Sequence, residues 1–152
     1  MDKIQVEQRT YELFQGGFHC AESVLAALLE ASGAEAGEFA TKAATAFGGG
    51  MGRSKEETCG AITGGMLALG VLQGRTGPGQ CWDNIAARAA EFREKVRAIT
   101  GHTRCRDVLE ALGPQENMEK CKRLTASSAG ILHELLEKPG PCIPAGTCGC
   151  RP

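Results

Sequence analysis

Helix-forming segments broken by glycine run through the whole chain, and this punctuation limits the fold more than any other feature. β-branched residues nowhere cluster and aromatics make up 5% of the sequence, so no segment reads as a strand. The sequence predicts an all-α protein, a compact bundle of six or seven helices. A first helix is expected from about Lys3 to Gln15, with Ile4, Tyr11 and Phe14 as core contacts. Gly16-Gly17 interrupts it. A second should run from about His19 to Ala31, carrying Val24, Leu25, Leu28 and Leu29, and end at Gly33. A third spans roughly Ala36 to Phe47.

Gly48-Gly49-Gly50-Met51-Gly52 is too glycine-rich for any regular element. Ser54 and Glu57 then match a capping box, in which each side chain satisfies a free backbone N–H. The helix started there should continue to about Gln73. Gly74 to Gly79 reads as a turn. A long amphipathic helix, about Cys81 to Thr100, precedes a pair at about Arg104 to Leu112 and Gln115 to Glu137. Gly113-Pro114 divides that pair as a glycine stop and a proline start. From Pro139 onward prolines and glycines exclude a helix. The organisation is thus a helical domain over residues 1–138 and a non-helical tail rich in Cys, Pro and Gly over residues 139–152, with no internal repeat.

Seventeen basic residues stand against eighteen acidic ones, for a net charge of −1. That balance offers no footprint for nucleic acid or anionic membrane. The most basic stretch, Arg88 to Arg106, is interleaved with Glu91 and Glu94 and reads as a solvated helix face. The opening residues are polar, without the apolar core of a secretory signal. The longest uncharged run, Thr58 to Gly74, falls short of the roughly 20 apolar residues of a membrane span. It reads as a buried core helix. No membrane insertion is expected, and a cytoplasmic location follows, where thiols stay reduced. The eight cysteines are then metal ligands or redox groups before they are structural disulfides.

Cys59 is expected about one turn into its helix, followed by Gly60-Ala61-Ile62-Thr63-Gly64. Gly60, Gly64 and Ala68 recur every four residues and form a stripe with almost no side chain. Helical glycines cost about 1 kcal/mol each relative to alanine, so close approach of a backbone or a bulky group should compensate. Tight helix packing alone would also account for the stripe. Cys105 and Cys121 lie at equal distances either side of Gly113, so an antiparallel turn there would return them to one level. Two buried unreactive cysteines would fit that spacing too. Cys20 stands at a helix start, where free N–H groups and the dipole favour a thiolate. Four gathered thiolates repel one another unless a cation neutralises them, which points to a metal, a cluster or disulfides.

The order Cys20, Phe47-Gly-Gly-Gly-Met-Gly52, Cys59-Gly-Ala-Ile-Thr-Gly64, Cys105 and Cys121 closely resembles the C_GCAxxG_C_C family of redox-active proteins. The resemblance covers roughly residues 8 to 136. It implies a helical fold and assigns Cys20, Cys59, Cys105 and Cys121 to the four family cysteines. A similar domain accompanies the haem domain of split-Soret cytochromes, where an iron–sulfur centre has been inferred. The resemblance therefore implies an iron–sulfur cluster, a two-iron cluster first, used for electron transfer or redox sensing. A metal-free thiol–disulfide oxidoreductase and a structural zinc–thiolate protein remain the alternatives. A separate redox partner protein is implied, and self-association as a homodimer stays open.

Cys81, Cys142, Cys148 and Cys150 lie outside the family pattern and again number four, so they are candidates for a second thiolate site. His19 adjoins Cys20, and His102 lies three residues before Cys105, so either could add a ligand; both residue types more often cap or face solvent. His133 reads as structural. No Cys-x-x-Cys-His is present for covalent haem attachment, and no Cys-x-x-Cys pair of thioredoxin type. The glycine loop lacks the Gly-Lys-Ser of a phosphate loop, and its amides could at most hold a small anion.

Overall fold

Local capping explains how the first helix begins and how most of the helices end. The computed structural model describes residues 1–34 and 37–139, and among these there are seven α-helices and no β-strand. α1 (Lys3–Gln15) is started by Asp2, whose carboxylate accepts from the Gln5 N–H at 2.9 Å. The Gln5 side chain returns the favour to the Asp2 N–H at 2.8 Å. Val6, Thr10 and Phe14 recur every four residues and set the buried face of α1. Ile4 falls on the opposite side and is 76% exposed, so it is not a core residue. Tyr11 is half-buried and donates to the Glu119 carboxylate at 2.7 Å.

α2 (Cys20–Ser32) ends at Gly33, whose left-handed φ of 69° makes it an ordinary glycine cap. Val24, Leu25, Leu28 and Leu29 are all buried, and α2 packs against α1, α3, α4 and α7. α3 (Gly37–Ala44) passes into a 3₁₀ turn at Thr45–Phe47 rather than continuing as one regular helix.

α4 (Gly60–Gln73) starts later than its sequence suggests. No capping box forms at Ser54. Its hydroxyl donates to the Gly50 carbonyl and accepts from the Glu56 N–H at 3.2 Å, inside a loop. Residues 55–59 instead pair with residues 103–106. The Cys59 N–H donates to the Thr103 carbonyl (2.8 Å), the Cys105 N–H to Glu57 (2.9 Å) and the Arg106 N–H to Lys55 (2.8 Å). An isolated antiparallel bridge joins Thr58 to Arg104. This long-range pairing keeps residues 55–58 out of the helix, so Cys59 is the N-cap of α4 rather than a residue one turn inside it.

α5 (Asp83–Thr100), α6 (Cys105–Leu112) and α7 (Glu119–Glu137) complete the bundle. Gly113 ends α6 at φ 68°, but Pro114 does not start the next helix. The Gln115 side chain accepts the Cys121 N–H at 3.0 Å, and Asn117 and Met118 take positive φ. α7 therefore begins only at Glu119. Arg88 is a further correction: it is buried, and its guanidinium donates to the carbonyls of Leu136 (3.4 Å) and Lys138 (2.9 Å). The other basic residues of that stretch are exposed, as a solvated face requires.

One core joins Val6 of α1, Leu25 and Leu28 of α2, Ile62 and Leu69 of α4, Phe92 of α5 and Leu132 of α7. The stripe Gly60, Gly64 and Ala68 is buried, and its two glycines lie directly against α2. A Cβ at Gly64 would stand 2.7 Å from the Cα of Ala21, so α2 and α4 meet backbone to backbone. Among the described residues no helix is long and apolar enough to cross a membrane. The tail, with Cys142, Cys148 and Cys150, lies outside the described residues.

Candidate functional site

Each family cysteine occupies the N-terminal turn of a different helix. Cys20 is the first residue of α2, Cys59 caps α4, Cys105 is the first residue of α6, and Cys121 is the third of α7. All four line one cavity of about 450 Å³. The convergence follows from the packing just described. α2 and α4 approach closely enough for the Cys20 sulfur to fill the space a Cβ at Gly60 would need. The backbone pairing of residues 55–59 with 103–106 fixes Cys59 beside Cys105. The Gln115 loop sets Cys121, with the Gln115 Nε2 donating to its sulfur at 3.1 Å.

The glycine loop closes the cavity on another side. Gly49, Gly50, Met51, Gly52 and Arg53 take φ values between 59° and 71°, close to one turn of left-handed helix, and Lys55 takes 62°. Each non-glycine residue in that conformation costs roughly 1–2 kcal/mol. The turn has a steric purpose at Gly50, where a Cβ would stand 2.7 Å from the Cβ of Cys105. It also aims the Gly49 N–H at the Cys20 sulfur.

Burial is the first influence on all four thiols and pushes each of them up. Cys59 reaches about 12, with repulsion from Cys20 and then from Cys105 and Cys121 adding to burial, opposed by the Ala61 N–H. Cys105 reaches about 11, with Cys20 and Cys121 adding and Lys55 opposing. Cys20 is raised by burial against the N–H groups of Gly49 and Ala21, and Cys121 by burial against the Gln115 hydrogen bond. Helix N-termini and N–H donors favour thiolates, yet desolvation and mutual repulsion win while no cation is present. Neutral thiols at pH 7 are the result. The mutual repulsion also records that the four sulfurs are neighbours.

Among the described residues no three His, Cys, Asp or Glu side chains close on one point as ligands to a single metal ion would. The four sulfurs are disposed around a space instead. His19 also lines this space, with its ring 6.2 Å from that of Phe14 in an edge-on contact. His102 is exposed and is not part of the lining. His133 is buried in α7, with Nε2 3.6 Å from the Glu137 carboxylate. Cys81 is exposed just before α5 and does not line the cavity. The two cationic lining residues, Arg53 and Lys55, could not be foreseen from the sequence. Their only signal is the Gly-Arg-Ser-Lys sequence that closes the glycine loop.

A family profile described as "Putative redox-active protein (C_GCAxxG_C_C)" matches residues 18–135, a span that contains all four cavity cysteines. The chain belongs to this family. No curated protein and no solved structure matches it. In C_GCAxxG_C_C terms the motif Cys59-Gly60-Ala61-Ile62-Thr63-Gly64 now has a physical reading. Cys59 supplies a thiol, Gly60 leaves room for the Cys20 sulfur, and the Ala61 N–H faces the Cys59 sulfur. Gly64 lets α4 rest on the backbone of Ala21. The C_GCAxxG_C_C signature thus describes a redox-active protein whose spacing rules serve one thiol-lined cavity.

Proposed function

We propose that this protein is a redox module holding an iron–sulfur cluster, a two-iron cluster first, on Cys20, Cys59, Cys105 and Cys121. The observation that carries the reading is the arrangement of four thiols, one from each of four helix N-termini, around a single cavity. Thiolates are the ligands such clusters use, and N–H donors to the sulfurs set cluster potentials. Here Gly49, Ala61 and Gln115 offer such donors. The bound group would supply one-electron transfer. The chain's own part is to deliver four sulfurs, to orient N–H dipoles toward them, and to keep water from the buried pair Cys59 and Cys105.

The raised thiols favour this reading over metal-free disulfide exchange, which needs an accessible thiolate near neutral pH. A positive group between the sulfurs removes both the burial penalty and the repulsion at once. A cytoplasmic location and a separate redox protein as electron partner belong to the same proposal.

Anaerobic reconstitution with ferrous iron and sulfide tests it. We expect a coloured protein with about two iron and two labile sulfide per chain for a two-iron cluster. Serine at any one of the four positions should abolish or alter the spectrum. A colourless product, together with a reversible two-electron thiol titration of the metal-free chain, would establish disulfide chemistry instead.

A further inference from the structure

The cavity carries more than thiols. Arg53 and Lys55 both line it, and no Asp or Glu does. Among the described residues neither cation has a carboxylate within the 4.0 Å of an ion pair. Phe14, Leu109, Met118 and Leu124 supply an apolar wall. Arg53 ends the left-handed turn and Lys55 follows two residues later, each at φ 62°, a conformation that favours glycine. Side chains that cost backbone strain beside a cavity imply that the side chains themselves are used.

We infer that the cavity binds a small organic anion beside the four cysteines, with its charged group on Arg53 and Lys55 and its apolar body against Phe14, Leu109 and Leu124. Two cations without competing carboxylates offset the desolvation of the anion, and a carboxylate or sulfonate matches the fork of Arg53. The inference names the ligand class of the redox centre and rests on that reading for its purpose, but its binding test does not depend on it.

Calorimetric titration with naphthalene-1-sulfonate and with uncharged 1-naphthalenemethanol provides the test, on full-length protein of measured iron content. The sulfonate should bind one per chain and at least about tenfold more tightly than the alcohol, a typical gain for charge-assisted hydrogen bonds. The double variant Arg53→Gln, Lys55→Gln should erase that preference while keeping the wild-type urea midpoint and the wild-type reconstituted spectrum. Equal binding of the two probes, or undiminished sulfonate binding in the variant, overturns the inference. So does loss of cluster in the variant, since the two cations would then serve the cluster itself. A chain that takes up no cluster yet shows the charge preference would sink the cluster reading and leave the anion site standing.

Discussion

Gly64→Ala and Gly70→Ala are the same substitution in one helix, and the structure gives them opposite signs. Both glycines lie within α4, so alanine gains about 1 kcal/mol of helix propensity at each. At Gly70 a Cβ meets nothing within 4 Å, and that gain stands alone. At Gly64 the Cβ would stand 2.7 Å from the Ala21 Cα and 3.0 Å from its carbonyl carbon. An ordinary carbon–carbon contact needs ~3.5–4.0 Å, so α2 and α4 must part by roughly 0.8 Å. The obstructing atoms are backbone and cannot rotate aside. Overpacking of this kind costs roughly 1–3 kcal/mol, and the upper half of that range applies against a backbone. The net expectation is a loss of about 1–2 kcal/mol for Gly64→Ala. For a chain of this length Tm should fall by roughly 2–8 °C, while Gly70→Ala raises it by roughly 2–4 °C. Thermal and urea unfolding of the two variants beside wild type is the assay. If both shift Tm in the same direction, the close contact of α4 with α2 is not as described.

Three further expectations concern the site. Gly60→Ala puts a methyl where the Cys20 sulfur lies, so it should cost most of the reconstituted iron while lowering Tm less than Gly64→Ala; full iron content would contradict the geometry. In the metal-free chain Cys59 and Cys105 are raised to about 12 and about 11 from 9.0, so the folded state holds their protons more tightly than the unfolded chain. Stability is therefore full below about pH 9 and falls as pH rises through the folded values. Urea midpoints between pH 9 and pH 11 should drop more for wild type than for Cys59→Ala, and parallel slopes would refute this. Cys81→Ser, or truncation after Lys138, should leave the spectrum of the four-cysteine centre unchanged, because Cys81 does not line the cavity and the tail follows α7. Loss of that spectrum on truncation would make Cys142, Cys148 or Cys150 a ligand.

The helical class and most helix ends were legible because they depend on neighbouring residues. Gly33 and Gly113 end helices through their own left-handed φ, and Val24, Leu25, Leu28 and Leu29 mark a buried face by spacing alone. The errors arise where a distant partner intervenes. Ser54 and Glu57 have the pattern of a cap, but Thr58 bridges Arg104 and the helix waits until Gly60. Gln115 looks like a helix start, yet its side chain is committed to Cys121. Arg88 looks solvated, but the carbonyls of Leu136 and Lys138 draw it in. The four cysteines could be singled out by motif, whereas their shared cavity depends on helix rotation and on a pairing nearly fifty residues long-range. Arg53 and Lys55 could not be assigned to it by any local rule.

The packing of α1 against α7 also sets a timetable for biosynthesis. Chains leave the ribosome N-terminus first, so Cys20 and Cys59 are in solution before the helix bearing Cys121 has been made. α1 meanwhile has no partner for the face that α7 will cover. Two nascent thiols then wait in an incomplete pocket, exposed to any oxidant that reaches them. On the proposed cluster, loading would have to wait for α7, and the yield of intact protein should depend on how reducing the cell is during those seconds of elongation.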